Sequence, residues 1–144
     1  MRIMGLLKAD QYSESGAPPP PDMYAAMGPF LEEITRAGVL LATDGLLPSS
    51  KGKRVNVSEG KVKVTDGPFT ESKELVASYA LLEVESMAEA VEWTTRFLEV
   101  LGGGECELRP IFEAADFAAE VLTSEQAERD EALRAEMKKN TRKQ

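Results

Sequence analysis

The chain has 144 residues and a mass of 15.7 kDa, 42% hydrophobic and 29% charged, which suits one soluble domain with a real core. Its net charge of −8 and pI near 4.7 would oppose the phosphate backbone, so nucleic acid is not an expected partner. With no histidine and a single cysteine, Cys106, the usual transition-metal sites, histidine-dependent triads and any internal disulfide are excluded.

No metal or cofactor is therefore expected, although an oxygen-ligated magnesium or calcium ion stays open; no calcium-loop spacing is present. No basic leader precedes an apolar core at the start, and no apolar run nears the roughly 20 residues that span a bilayer. The expectation is a cytoplasmic protein with no membrane partner.

Residues 1–8 alternate, with Ile3, Gly5 and Leu7 on one face and Met4 and Leu6 on the other, so a strand covered on both sides is predicted. Residues 11–21, with four consecutive prolines, read as a stiff extended spacer rather than a folded element. Asp22 is a plausible helix cap, followed at helical spacing by Met23, Met27, Phe30, Ile34 and Ala37; Gly38 suits the stop, and Pro29 should kink the first turns. Residues 39–43 form a short strand that ends at Asp44-Gly45, where an Asx turn is one reading of Asp44.

Residues 54–58 and 61–65 make a hairpin about Ser58-Glu59-Gly60, its valines alternating with polar partners, so one face should be wet. Asp66-Gly67-Pro68 is a turn in which Gly67 is expected at positive φ, and Phe69 is an anchor or a cleft wall. Residues 75–84 form a long strand apolar on both faces, with Ala77, Tyr79 and Leu81 opposite Val76, Ala80, Leu82 and Val84. Ser86 to Glu89 reads as a capping box opening a helix with a stripe at Met87, Val91, Thr94, Leu98 and Leu101, stopped by Gly102-Gly103-Gly104.

Residues 106–112 are a last strand, with Glu107 and Arg109 opposite Cys106 and Leu108. Beyond Ala114 the composition turns charged; residues 124–139 should be helical on a thin stripe of Ala127, Leu133 and Met137, before a basic tail at 140–144.

The order strand, helix, strand, hairpin, strand, helix, strand predicts a ferredoxin-like α+β sandwich over residues 1–113, an antiparallel sheet with two helices on one face, and a helical extension over 114–144. Since the helices can cover only one sheet face, a homodimer pairing sheet to sheet is expected.

The run Thr65-Asp66-Gly67-Pro68-Phe69-Thr70-Glu71-Ser72-Lys73-Glu74 resembles the signature of the DGPF-domain, YCII-related proteins. Glu33 to Ala42, the Asp44-Gly45-Leu46 turn and Cys106 to Pro110 support the match, which covers roughly residues 1–113. The resemblance implies a dimeric α+β barrel, mostly bacterial and cytoplasmic, of undefined activity, in proteins often encoded beside extracytoplasmic-function sigma factors. A His/Asp pair in a cleft has been suggested for the wider YCII group; a chain without histidine cannot run it.

Asp44 and Asp66 are the candidate catalytic carboxylates, Asp44 as a base if burial raises its pKa. Phe69, Glu71, Ser72, Lys73, Tyr79 and Arg109 are the candidate ligand-binding residues, the polar ones suited to positioning a small molecule. For Arg109 an ion pair with Glu107 or Glu74 is the plainer reading. Two functions follow: a metal-independent enzyme acting on a small molecule, or a metabolite-binding regulatory module acting through its dimer and C-terminal helix.

Overall fold

The computed structural model describes residues 1–71, 74–118 and 120–140. The chain divides into two compact units, Met1–Ile111 and Phe112–Gln144.

In the first unit, β1 (Arg2–Lys8), β2 (Leu40–Gly45), β5 (Val76–Glu83) and β6 (Cys106–Pro110) form an antiparallel sheet in the order β2-β5-β1-β6. Helices α2 (Pro21–Arg36) and α3 (Met87–Leu101) are the two crossovers and lie together on one face. This is the ferredoxin-like α+β sandwich that the element order predicts. The core sits between sheet and helices: Ile3 and Leu82 from the sheet, Phe30 and Ile34 from α2, Ala90 from α3, with Val39 and Val84 closing the strand ends. Phe30 packs its ring against Trp93 and Phe97 at centroid distances of 6.1 and 6.3 Å. Arg96 covers Trp93 and Phe30 from outside and pairs with Glu33, joining the helices.

Strand alternation and register fix which side chains share the opposite, outer face. One cross-strand row runs Asp44, Tyr79, Leu6, Glu107, and the next runs Ala42, Leu81, Met4, Arg109. Met4, Leu6, Tyr79 and Leu81 are only half-buried there.

Several local expectations are corrected. The helix starts at Pro21 behind Pro20, and Asp22 lies in its first turn instead of capping it; the fixed φ of proline suits that first position. Ala37 and Val91, placed on the buried stripes, are exposed. The proline-rich segment is not simply a spacer. Asp10 caps a one-turn helix α1 (Gln11–Glu14) by accepting from the Ser13 N–H at 2.8 Å, and the Tyr12 hydroxyl donates to the Pro18 carbonyl at 2.6 Å. These short-range bonds give a polar segment folded geometry without a hydrophobic stripe.

β3 (Lys53–Ser58) and β4 (Lys61–Asp66) form a separate two-stranded sheet joined by a two-residue turn with Glu59 and Gly60 both at positive φ. Neither face of this hairpin is covered, against the expectation of one dry face, and every one of its strand residues is exposed.

The second unit holds a stacked pair of rings, Phe112 and Phe117 at 5.1 Å, and helix α4 (Ser124–Lys139), capped by Thr123 and Gln126. Leu133 and Met137 of α4 are exposed. Among the described residues no helix is long and apolar enough to cross a membrane.

Candidate functional site

A cleft of about 520 Å³ opens at the end of the sheet where β1 leaves, β2 exits and β5 begins. One wall is the capped segment, with Tyr12, Ser13 and Gly16–Pro19; the facing wall is Gly45–Pro48; Leu7, Ala77 and Ser78 floor it, and Leu101 and Gly104 close one side. The lining is largely aliphatic, with Lys8, Asp10, Tyr12, Ser13 and Ser78 as its polar side chains, the Tyr12 hydroxyl already spent on the Pro18 carbonyl. A smaller cavity of about 50 Å³ lies between sheet and helices beside Cys106, too small for a substrate. Burial there pushes the Cys106 thiol up, which makes it a poor nucleophile.

The Asp66–Phe69 loop works on this cleft from behind. Ser49 heads a short turn directly after Pro48, and its hydroxyl donates to the Glu14 carboxylate at 2.7 Å while accepting from the Phe69 N–H at 3.1 Å. The Ser49 N–H also donates to Glu14, at 3.1 Å. A single serine thus ties the capped segment, the Pro48 wall and the DGPF loop together. Gly67 donates its N–H to the Gly52 carbonyl at 3.1 Å, and the Gly67–Pro68 peptide is cis.

Gly67 does not have the positive φ expected of it. Glycine is required for a different reason: a Cβ there would lie 1.8 Å from the Ser49 carbonyl oxygen. Phe69 is half-buried beneath the Arg54 guanidinium, 4.0 Å from the ring centroid, as a buttress of the loop.

The candidate residues do not converge on one point. Asp44 is the last side chain but one of β2, and its carboxylate accepts from the Tyr79 hydroxyl at 2.8 Å, so the Asx-turn reading is replaced by a cross-strand pair. That bond, and the charge of Asp44, hold the Tyr79 phenol above its ordinary pKa, because ionisation would set two negative charges side by side. Asp44 and Tyr79 are next in sequence to Gly45 and Ser78 of the cleft lining but are not part of it: the pair lies on the outer face of the sheet, and Tyr79 also borders the smaller cavity.

Arg109 shares the outer face but sits on the far edge strand, three strand spacings or about 14 Å across the sheet. There it pairs with Glu107 at 3.3 Å, and Lys8 approaches the same carboxylate at 3.6 Å. The two cations, Arg109 foremost, hold Glu107 below its ordinary pKa. Asp66 pairs with Lys53 at the base of the hairpin and is exposed. Glu71 is exposed, and its carbonyl accepts from the Glu74 N–H at 3.0 Å. Ser72 and Lys73 lie outside the described residues.

Glu14, Ser49, Asp10 and Tyr12 are the residues that sequence reasoning missed. A polar run such as Ser-Glu or Pro-Ser-Ser carries no periodicity, and Glu14 and Ser49 are 35 residues apart; only the Asp10–Ser13 cap had a local signal. Among the described residues no group of three acidic or cysteine side chains could hold a metal ion.

No match is found among curated proteins. Among solved structures the chain is similar to 5-chloro-2-hydroxyhydroquinone dehydrochlorinase from Burkholderia phenoliruptrix, in complex with 2,5-dihydroxybenzoquinone, at 16% identity and a TM-score of 0.47 over 82% of this chain and 100% of that one. The YCII-related domain matches residues 1–115, in keeping with the Asp-Gly-Pro-Phe loop and the strand order around it, and the chain belongs to the YCII-related family.

Proposed function

We propose that this protein binds a small, mostly apolar organic molecule in the cleft between the capped segment and the Gly45–Pro48 wall. The observation that carries the reading is the cleft itself: about 520 Å³, within the range of small-molecule sites, with an aliphatic lining and few polar groups. Lys8, Asp10, Ser13 and Ser78 are the polar groups of the lining that we assign to the ligand, and Asp44, one residue from Gly45, is kept as the candidate base, with the neutral Tyr79 hydroxyl fixing its carboxylate's direction. Phe69 acts on the site indirectly, through Ser49. We further propose that the protein works as a homodimer through the half-buried apolar outer face of its sheet.

A fragment library screened by protein-observed NMR tests the site. Hits should move the amides of residues 12–17 and 45–47, and Glu14→Ala, which frees one wall from the other, should weaken them. Hits confined to the Arg109 edge, or unaffected by Glu14→Ala, would overturn the assignment. Hits that are bound but never turned over make the protein a sensor; for a hit that is turned over, loss of turnover with binding retained in Asp44→Asn assigns the base to Asp44.

A further inference from the structure

The hairpin β3–β4 is the part of the first unit with no visible reason to be shaped as it is. Val55 faces Val64 and Val57 faces Val62 across the ladder, so the four side chains form one continuous apolar face. All four are exposed, at 68%, 55%, 66% and 68% of their area respectively. A two-stranded hairpin is marginal in water unless something packs on it, and an apolar patch of a few hundred square ångströms on a soluble protein marks an interaction surface. The hairpin's own base is secured by the Lys53–Asp66 pair and by Arg54 on Phe69, which aim it outward without covering its valines.

Charge narrows the occupant. The hairpin, residues 53–66, carries Lys53, Arg54, Lys61 and Lys63 against Glu59 and Asp66, a segment charge of +2 in a chain of −8. The rest of the chain, taken together, is therefore more acidic than the chain as a whole. Two copies repel one another over most of their surfaces, and within residues 1–111 the hairpin is the basic segment that can approach a second copy with attraction instead. Area points the same way. The outer sheet face offers only four half-buried apolar side chains, Met4, Leu6, Tyr79 and Leu81, little for the roughly 800 Å² per protomer of a stable interface. The valine face supplies the kind of surface that is short.

We propose that the β3–β4 hairpin is a dimerisation arm whose valine face packs against a second copy of this chain, extending a contact centred on the outer sheet face. The inference rests on the dimer reading given above, and the experiment keeps the two apart. Amide hydrogen exchange of the full chain is followed below and above the concentration at which sedimentation velocity detects dimer. Amides of residues 54–65 should become protected together with dimer formation.

Val57→Ser/Val62→Ser, changed only at exposed positions, should weaken the dimer by about tenfold or more, since it removes apolar area equivalent to over a kcal/mol, with an unchanged far-ultraviolet spectrum. A parent dimer whose hairpin amides exchange as in the monomer, or a double variant that dimerises like the parent, overturns the arm and leaves the sheet contact standing. A parent that is monomeric throughout overturns both.

Discussion

A methyl group on Gly67 would meet the Ser49 carbonyl oxygen at 1.8 Å and its carbon at 2.6 Å, and both are backbone atoms that cannot swing away. Gly67→Ala should therefore destabilise the protein by about 1–3 kcal/mol, in the range of overpacked sites, as read from the midpoint and slope of urea unfolding. A loss below about 0.5 kcal/mol would mean that the turn is not pressed onto Ser49. The glycine was legible from the sequence but its reason was not, because an Asp-Gly-Pro turn signals φ preference while close approach depends on a segment 18 residues earlier. Tyr79 gives a second residue-scale test. Its folded pKa is raised above the ordinary value of 10.0 by the bond to Asp44, so the pair's contribution to stability is complete below pH 10 and is lost as pH rises through the folded pKa. The protein has three tyrosines, and in an ultraviolet titration Tyr79 should ionise at higher pH in the parent than in Asp44→Asn. Identical titration curves would remove the pair from solution.

At the scale of elements, periodicity found what periodicity controls. The strands at residues 1–8 and 75–84 and the two long helices were legible because their buried faces repeat at 2 or 3.6 residues. The hairpin was legible as a hairpin, since Glu59-Gly60 supplies two positive-φ positions, yet its exposure was not, because alternation states which side chains share a face and not whether anything covers that face. Helix α1 was invisible to periodicity, being held by a cap and two hydrogen-bonded loops. That cap is testable. The Ser13 N–H bond lowers the Asp10 pKa from its ordinary 3.8, so the stabilisation is present above that value and lost as pH falls through the folded pKa. Asp10→Ala should remove about 1 kcal/mol from α1, the usual worth of such a cap. Amide exchange at Ser13 and Glu14 should accelerate about fivefold, with β1 and β5 unaffected. Exchange that accelerates everywhere would mean that α1 is part of the core, and exchange unchanged at Ser13 would mean that it is not capped.

For the whole molecule, the outer face of the sheet presents the deciding surface. A four-stranded sheet with helices on one side leaves its other side to water or to a partner, and here that side holds Met4, Leu6, Tyr79 and Leu81 at its centre, with Asp44, Glu107 and Arg109 at its edges. Apolar residues in the middle of a face and charged residues at its rim are the anatomy of a protein interface. Light scattering at micromolar concentration should accordingly return twice the chain mass of 15.7 kDa. Leu81→Lys puts a charge at the centre of that face, where it would be desolvated without a partner, and should yield a monomer. Leu81 points away from Phe30, Ile34 and Ala90, so the monomer should keep its circular dichroism spectrum and cooperative unfolding. The cleft has walls and floor from a single protomer, so fragment binding at residues 12–18 and 45–48 should survive in Leu81→Lys. A parent that scatters as a monomer would leave the apolar outer face without its proposed role. A Leu81→Lys dimer would place the contact elsewhere, and loss of fragment binding together with the dimer would mean that the partner completes the cleft.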